Sequence, residues 1–570
     1  MKNYIWEIYE ANVELQRELS EKLGIMPNTA QILINRGIKD IPAAESFLYC
    51  AIGALSDPFL LPDVETSVKR ILKAIKHKER ITIYGDYDAD GITSTALLYR
   101  FLKDSGADID FYIPNRMDEG YGLNTNIIKE LCKKGTKLII TVDCGTNSIE
   151  EVNAAISTGT DVIITDHHTV EIPLPQKYPI VNPKRSDSKY PFSELAGVGV
   201  VFQLCRVLSK HLLGDISSEG ILRYMDLAAI GTIADVVPLL GDNRIIVKLG
   251  ISKLKTSENI GLKTLIKESG LKQDKISSGQ VAFMLAPRLN AAGRMQSARE
   301  SVTLLITNSQ ELASEKAKSL CTENINRQEI EKEVLANAIE MVKSPSVNLD
   351  NKPVIVLESD EWHEGVIGIV ASRLVDMFHR PAILICTNKE EAKGSGRSIS
   401  GFNLIDSLRE CKDCLIRFGG HSYAAGLLIN KDNIENFRSK INQIGIRVIT
   451  KEYLQPKLRI DLALSPSNVT NKFLAEIEHL EPYGMGNPKP VFIAKGLKLG
   501  FFPRKVGDNH IKLTLSQKGR QFEAIGFRMA DYMDNYRDQN HIDIIYTPQI
   551  NIWQGRKNLQ LNLKDLRFRT

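Results

Sequence analysis

A mixed α/β protein built from several domains is predicted, on three observations. The chain has 570 residues, too many for one hydrophobic core. Between Ile81 and about Met295, short apolar strand candidates alternate with helical stretches, the pattern of a parallel sheet wrapped by helices. From Lys457 onward the pattern changes to alternating strands separated by turns, which indicates a small β-barrel or sandwich. Hydrophobic residues make up 43% and charged residues 25%, ordinary for a globular protein, and no apolar run reaches the ~18 residues that a membrane span needs. The opening MKNYIWEIYEANVELQ carries early acids and no long apolar core, unlike a signal peptide, so a cytoplasmic location is expected.

Residues 1–45 read as a short helical lead-in. The α/β pattern then supplies three strand–loop–helix units. ITIYG runs into an Asp-rich loop and the helix candidate TSTALLYRFL, KLIITVDCG leads to SIEEVNAAIS, and DVIITDHH ends in a polar loop. Residues 309–343 contain no Gly or Pro, and Ala313, Ala317 and Leu320, then Ile330, Val334, Ala338 and Met341, step by three and four. That spacing predicts one or two long amphipathic helices, stopped by Ser344-Pro345. A second α/β unit follows, with strands PVIVLES and AILICT around the helix VIGIVASRLV, to about Thr450. The expected division is therefore 1–45, 46–300, 301–345, 346–450 and 451–570.

Charge and cysteines narrow the classes. The formal net charge is +4, but residues 495–570 hold 14 Lys/Arg against 7 Asp/Glu. A basic terminal module on a slightly acidic body suggests a polyanion-binding appendage. The eight cysteines are scattered, and the one CxxC, Cys411 and Cys414, has no second pair to complete a zinc site.

Ligands of an open parallel sheet bind at the carboxyl ends of its strands. Here the first strand ends in Asp86-Tyr87-Asp88-Ala89-Asp90-Gly91, the second in Asp143-Cys144-Gly145 and the third in Asp166-His167-His168. Asp235 follows the apolar stretch Met225–Ala234. One acidic strand end is a common turn feature; three in the same topological place would repel one another unless cations intervene. Asp88, Asp90, Asp143 and Asp235 bring four negative charges, balanced by two divalent ions, and His167 adds a nitrogen ligand. That mixture favours Mn²⁺, with Mg²⁺ as a weaker substitute. Two such ions, about 3.5–4 Å apart, suit phosphodiester hydrolysis.

GDYDADG, VDCG, TDHH and IADVVPL resemble the four signature motifs of the DHH phosphoesterase superfamily. IPNRMDEGYGLN, APRLNAAGRM, WHEGVIGIVASRL and FGGHSYAAG continue the resemblance, in an order similar to the RecJ branch. The resemblance spans roughly Ile81 to Gly426. It implies a parallel-sheet DHH catalytic domain, a long helical connector, a second α/β domain that holds substrate, and a C-terminal oligonucleotide-binding β-barrel. It implies a metal-dependent enzyme that hydrolyses single-stranded DNA from the 5′ end to mononucleotides, in recombination and repair. It assigns Asp88, Asp90, Asp143, His167 and Asp235 to metal, and His168 with Asp166 to catalysis. Asp86 and Asp166 are read as acids that order their loops. Arg116, Arg288, Ser395 and Arg397 would grip the 5′-terminal phosphate, with Arg294 a weaker candidate, and Gly420 and His421 would line the nucleotide-binding face. A monomer is expected, with a helicase or single-strand-binding protein as possible partner. One departure is Tyr84, where many superfamily members carry a histidine; packing in the core is its expected role.

Two other readings stay open. A nano-RNase or cyclic-dinucleotide phosphodiesterase generally lacks such a terminal β module. A non-catalytic single-strand DNA-binding relative would not need five intact ligand positions. Phe501, Phe502, Phe527, Tyr546 and Trp553 are the module's candidate base-stacking aromatics, of which only a few are expected to be exposed.

Overall fold

A computed structural model describes residues 4–115, 122–216, 219–295, 297–344, 347–507, 509–536, 541–553 and 556–569. They fall into two compact units: residues 8–323 with 460–570, and residues 1–7 with 324–459. A short strand, β1 (Ile5–Ile8), opens the chain, followed by the helices Val13–Leu23, Pro27–Asn35 and Ile41–Tyr49.

The larger unit contains the sheet that carries the acids. Its strands are β2 (Arg80–Gly85), β3 (Asp108–Tyr112), β4 (Leu138–Val142), β5 (Asp161–Thr165) and β6 (Ile180–Val181), all parallel, in the order β3-β2-β4-β5-β6. Both faces are covered, so β4 is apolar except for Thr141 and is buried throughout. Ile81, Ile83 and Ile140 face one core with the helices Val64–His77 and Ala89–Asp104; Tyr84, Ile139 and Ile164 face another with Thr125–Lys133 and Ile149–Ser157. Such a sheet leaves only its ends for chemistry.

A single helix, Gln310–Lys343, runs from the larger unit into the smaller one. There β7 (Ile355–Ser359), β8 (Ala382–Cys386), β9 (Glu391–Arg397), β10 (Arg417–Gly420) and β11 (Ala424–Asn430) form a mixed sheet in the order β10-β11-β9-β8-β7. Its β12 (Lys457–Ile460) pairs with β1. Cys411 and Cys414 are free, buried thiols.

The C-terminal strands are β13 (Leu462–Ala463), β14 (Phe492–Leu499), β15 (Arg504–Val506), β16 (His510–Gln517), β17 (Arg520–Gly526), β18 (His541–Trp553) and β19 (Arg556–Arg569). Pairings β14–β18, β18–β19, β19–β17, β17–β16 and β16–β14 close a five-stranded barrel, with β17 and β19 parallel. Tyr546 is core, while Phe501, Phe502 and Phe527 are 62%, 63% and 51% exposed; the Trp553 side chain lies outside the described residues.

Two expectations change here. The N-terminal helices are not a separate lead-in, and the barrel is not an appendage. Leu19, Leu33 and Phe47 share one core with Phe473, Phe492, Tyr546 and Leu561. Buried polar links reinforce it. The Arg36 guanidinium makes a forked pair with Asp461 at 2.6 and 3.3 Å, and Asn35 and the Val491 N–H also donate to that carboxylate. The buried Arg244 donates to the carbonyls of Phe47, His479, Leu480, Glu481 and Pro482, and its guanidinium lies 3.5 Å from the centre of the Phe47 ring. One side chain thus ties the helix Gly241–Lys255 to the third N-terminal helix and to the C-terminal end of the helix Asn471–His479. Some of these carbonyls keep a second donor from Asn487 or Lys248. Arg244→Leu should therefore cost about 2–4 kcal/mol in denaturant unfolding, and Arg244→Lys should recover only part, because one ammonium cannot fork to five acceptors. Wild-type stability in both variants would rule out this anchor.

Candidate active site

The site follows from strand register. Gly85 pairs with Val142, and Val142 with Thr165, so β2, β4 and β5 end level and release Asp86, Asp143 and Asp166 at one edge. Asp88 caps the helix Ala89–Asp104, accepting from the Asp90 and Gly91 N–H groups at 2.9 and 3.1 Å. Asp90 then reaches across to the start of the helix Gly197–Leu213, where its two oxygens accept from the Gly197 and Val198 N–H groups at 2.7 and 2.8 Å. Asp143 sits against that same helix start. A Cβ at Gly197 would lie 2.6 Å from Asp143 Oδ1, so only glycine lets the two approach. Asp235 ends the helix Met225–Ala234.

The metal candidates converge. Asp86, Asp88 and Asp143 offer ligand atoms within 4.8 Å of one another; so do Asp90, His167 and Asp235, and so do Asp143, His167 and His168. All five predicted metal residues are in these groups. Asp86, expected only to order its loop, joins the ligand candidates.

Electrostatics follow from crowding. Burial, then the neighbouring Asp88, pushes Asp90 up to about 7. Burial followed by repulsion from Asp90 and Asp88 raises Asp143 and Asp235 well above the usual carboxylate range. None of Asp88, Asp90, Asp143 and Asp235 forms an ion pair with a Lys or Arg among the described residues. Burial, then the charge of His168, lowers His167 to about 3, leaving its ring neutral and able to ligate; its Nε2 lies 3.2 Å from Asp143 Oδ1 and 3.6 Å from Asp235 Oδ2. Asp143 Oδ1 and Asp235 Oδ2 are buried without a hydrogen-bond partner. Orphaned acid oxygens beside a neutral imidazole fit divalent cations and fit little else.

His168 and Asp166 behave differently. Burial would raise Asp166, but the hydrogen bond and charge of His168 outweigh it and hold the acid below its usual range. Asp166 accepts from His168 Nδ1 at 2.7 Å and from the backbone N–H groups of Thr146, His167 and His168. Burial would lower His168, yet Asp166 raises it to about 9. Sequence reasoning missed three supports. Asn182 donates to the His168 carbonyl at 2.9 Å and to Thr146 Oγ1 at 3.0 Å. Asn290, in APRLNAAGRM, accepts from the Ala89 N–H at 2.7 Å and steadies the Asp-rich loop. Gly197, in AGVGV, is the third. Tyr84 is fully buried, its ring 5.3 Å from that of Tyr112, as expected of a packing residue.

The substrate candidates divide between the units. Arg288 lies in the larger one, on the helix Ala286–Met295 that follows a π-helical turn, Val281–Leu285. Arg288 donates to the Met284 carbonyl, and its Nε is buried without a partner. Arg294 is on the same helix. Ser395 and Arg397 share one face of β9 in the smaller unit, 3.3 Å apart. A Cβ at Gly368, near the start of the helix Ile367–Phe378, would lie 2.8 Å from Ser395 Oγ and 3.2 Å from Arg397 Nη2. Gly420 ends β10, with exposed His421 beside it. Arg116 lies outside the described residues.

A parallel sheet whose strand ends carry clustered acids and a paired histidine motif defines a DHH-type phosphoesterase site, and the DHH family N-terminal domain model matches residues 80–232. The DHHA1 domain model matches residues 351–445 and the RecJ OB domain model residues 460–565. A single-stranded-DNA-specific exonuclease RecJ from Bacillus subtilis is 41% identical over 98% of this chain and 70% of its own length. The Escherichia coli enzyme of the same name is 32% identical over 89% of this chain and 90% of its own. The crystal structure of Thermus thermophilus RecJ with Mn²⁺ superposes with a TM-score of 0.84 at 29% identity, covering 99% of this chain and 80% of that one; its Mg²⁺ complex gives 0.79. The chain belongs to the RecJ family.

The raised acids carry a signed pH dependence. A carboxyl whose pKa is raised on folding favours the folded state while protonated, and that stability is lost as pH rises from the ordinary carboxylate range through the folded value, here to about 7 for Asp90. In chelator, Asp143→Asn should therefore raise the Tm at pH 8 by about 2–4 °C and leave it nearly unchanged at pH 4. With metal supplied, the same variant should lose hydrolysis by at least about a hundredfold. A lower Tm at pH 8 would contradict the crowding argument.

Proposed function

We propose that this chain is a two-ion exonuclease that removes mononucleotides from the 5′ end of single-stranded DNA, serving recombination and repair. The observation that carries this reading is the set of orphaned acid oxygens around neutral His167, in a chain whose similarity to single-stranded-DNA-specific exonucleases spans 98% of its length. Asp86, Asp88, Asp90, Asp143, His167 and Asp235 would hold the ions. Bound there, the ions supply a water of lowered pKa and neutralise charge on the phosphodiester. Asp166 fixes His168 through Nδ1 and keeps it protonated at neutral pH. The ring's other nitrogen, Nε2, then holds a proton for a substrate oxygen.

Direction needs a feature that identifies a chain end, because the acid cluster meets a similar phosphodiester at every step. A terminal phosphate carries more charge and three non-bridging oxygens. Ser395, Arg397 and the adjoining helix start supply a hydroxyl, a guanidinium and a positive dipole end, a combination suited to that group. Arg116 and Arg288, which the family resemblance also assigns to the phosphate, are further candidates for this role. Wild type should digest 5′-phosphorylated single strands faster than 5′-hydroxyl ones, and Arg397→Ala should lose most of that preference. Digestion from the 3′ end, or equal preference in both proteins, would leave only a generic DHH phosphodiesterase.

The barrel's exposed rim supports strand tracking. Phe501, Phe502 and Val506 stand beside Arg504 and Lys505 in the β14–β16 connection, and Phe527 meets His510 at 5.1 Å next to Arg528. Stacked bases and neutralised phosphates would use this surface. Replacing Phe501 and Phe502 together by Ala should weaken binding to long single strands roughly 10- to 100-fold, measured by fluorescence anisotropy. Unchanged affinity would move the tracking surface elsewhere.

A further inference from the structure

Asp235 differs from the other acids of the cluster. Asp88, Asp90 and Asp166 are fixed by backbone N–H donors, and Asp143 is wedged against Gly197. The Asp235 carboxylate accepts no hydrogen bond from a described residue and meets His167 Nε2 at 3.6 Å, so its position leans on its own backbone. Upstream, the Asp235 N–H is held by the Gly231 carbonyl at 2.9 Å. Downstream, Val236 has φ 60° and is 67% exposed, an unfavourable conformation for a β-branched residue. Asn243 Nδ2 holds that turn locally through the Pro238 carbonyl at 3.1 Å, and a second support comes from about 250 residues away. The Leu239 N–H donates to the Met485 carbonyl at 2.8 Å. A Cβ at Gly484 would lie 2.7 Å from Leu239 Cδ1, and one at Gly486 3.2 Å from Pro238 Cβ. The clamping turn is itself rigid. Gly484 and Asn487 exchange backbone hydrogen bonds, Asn487 Nδ2 donates to the Leu480 and Pro482 carbonyls, and Ser278 Oγ donates to the Tyr483 carbonyl.

We propose that the Tyr483–Asn487 turn, which leads into the barrel, is a positioning element that sets Asp235 for metal binding. The barrel module is then part of the metal site's support as well as a strand-binding surface. The inference rests on the two-ion reading of the acid cluster. Gly484→Val would push on Leu239, and Gly486→Ala would strain the turn at φ +72° and crowd Pro238 more gently.

Mn²⁺ binding to the full-length, substrate-free protein can be followed by electron paramagnetic resonance of the free ion. Both glycine variants should bind at least one ion about tenfold more weakly than wild type, and Gly484→Val combined with Leu239→Ala, which restores space, should recover most of the loss. Leu515→Ala, a cavity on β16 in the barrel core, should lower the Tm with Mn²⁺ affinity unchanged. Wild-type affinity in folded Gly484→Val and Gly486→Ala would overturn the positioning role. Failure of wild type to bind Mn²⁺ would instead overturn the two-ion reading beneath it.

Discussion

Mutual repulsion among buried carboxylates governs the larger unit. Burying one acid without a partner is costly, and placing several within ligand distance multiplies that cost. The fold answers each acid separately. Asp88 spends its charge on its own helix start, Asp90 on the start of the helix Gly197–Leu213, and Asp166 on His168 and three backbone donors. Asp143 Oδ1 and Asp235 Oδ2 receive nothing from the protein. The acids that are satisfied form a frame, and the unsatisfied oxygens face inward from it. This arrangement works because a parallel sheet covered on both faces offers chemistry only at its strand ends.

The acids were legible in the sequence because strand ends are: a run such as LIITV followed by Asp143 declares both the strand and the residue it releases. Their supports were not. Asn290 acts on Ala89, Asn182 on the carbonyl of His168, and Gly197 on Asp143, and nothing in the local sequence of any of them names the partner. The position of Asp86 was illegible for a related reason. Its neighbours in sequence suggest a loop residue, whereas its nearness to Asp143 comes from the pairing of β2 with β4. The aromatics show the same limit. Phe501 and Tyr546 both sit in strand-rich surroundings, and only closure of the barrel decides that one faces solvent and the other the core.

The metal cluster and the Ser395–Arg397 pair obey different physics and sit on different units. The cluster concentrates negative charge and must be organised by cations. The pair, with a helix start beside it, concentrates positive character and must be organised by an anion. The helix Gln310–Lys343 is the covalent bridge between the two. Under the proposed function, this separation lets the end of a strand be read without making the hydrolytic centre selective for any base.

The terminal barrel is the element whose meaning changed most. A surplus of basic residues suggested a tethered module, because charge composition records what a surface binds and says nothing of what its other side packs against. That other side shares a core with the N-terminal helices, and its polar seams are buried. Undocking the barrel would break the Arg36–Asp461 pair, release the carbonyls held by Arg244 and expose to water the apolar core that the barrel shares with the N-terminal helices, and that exposure is the larger cost. The rim proposed to track the strand therefore belongs to the same compact unit as the sheet that carries the acids.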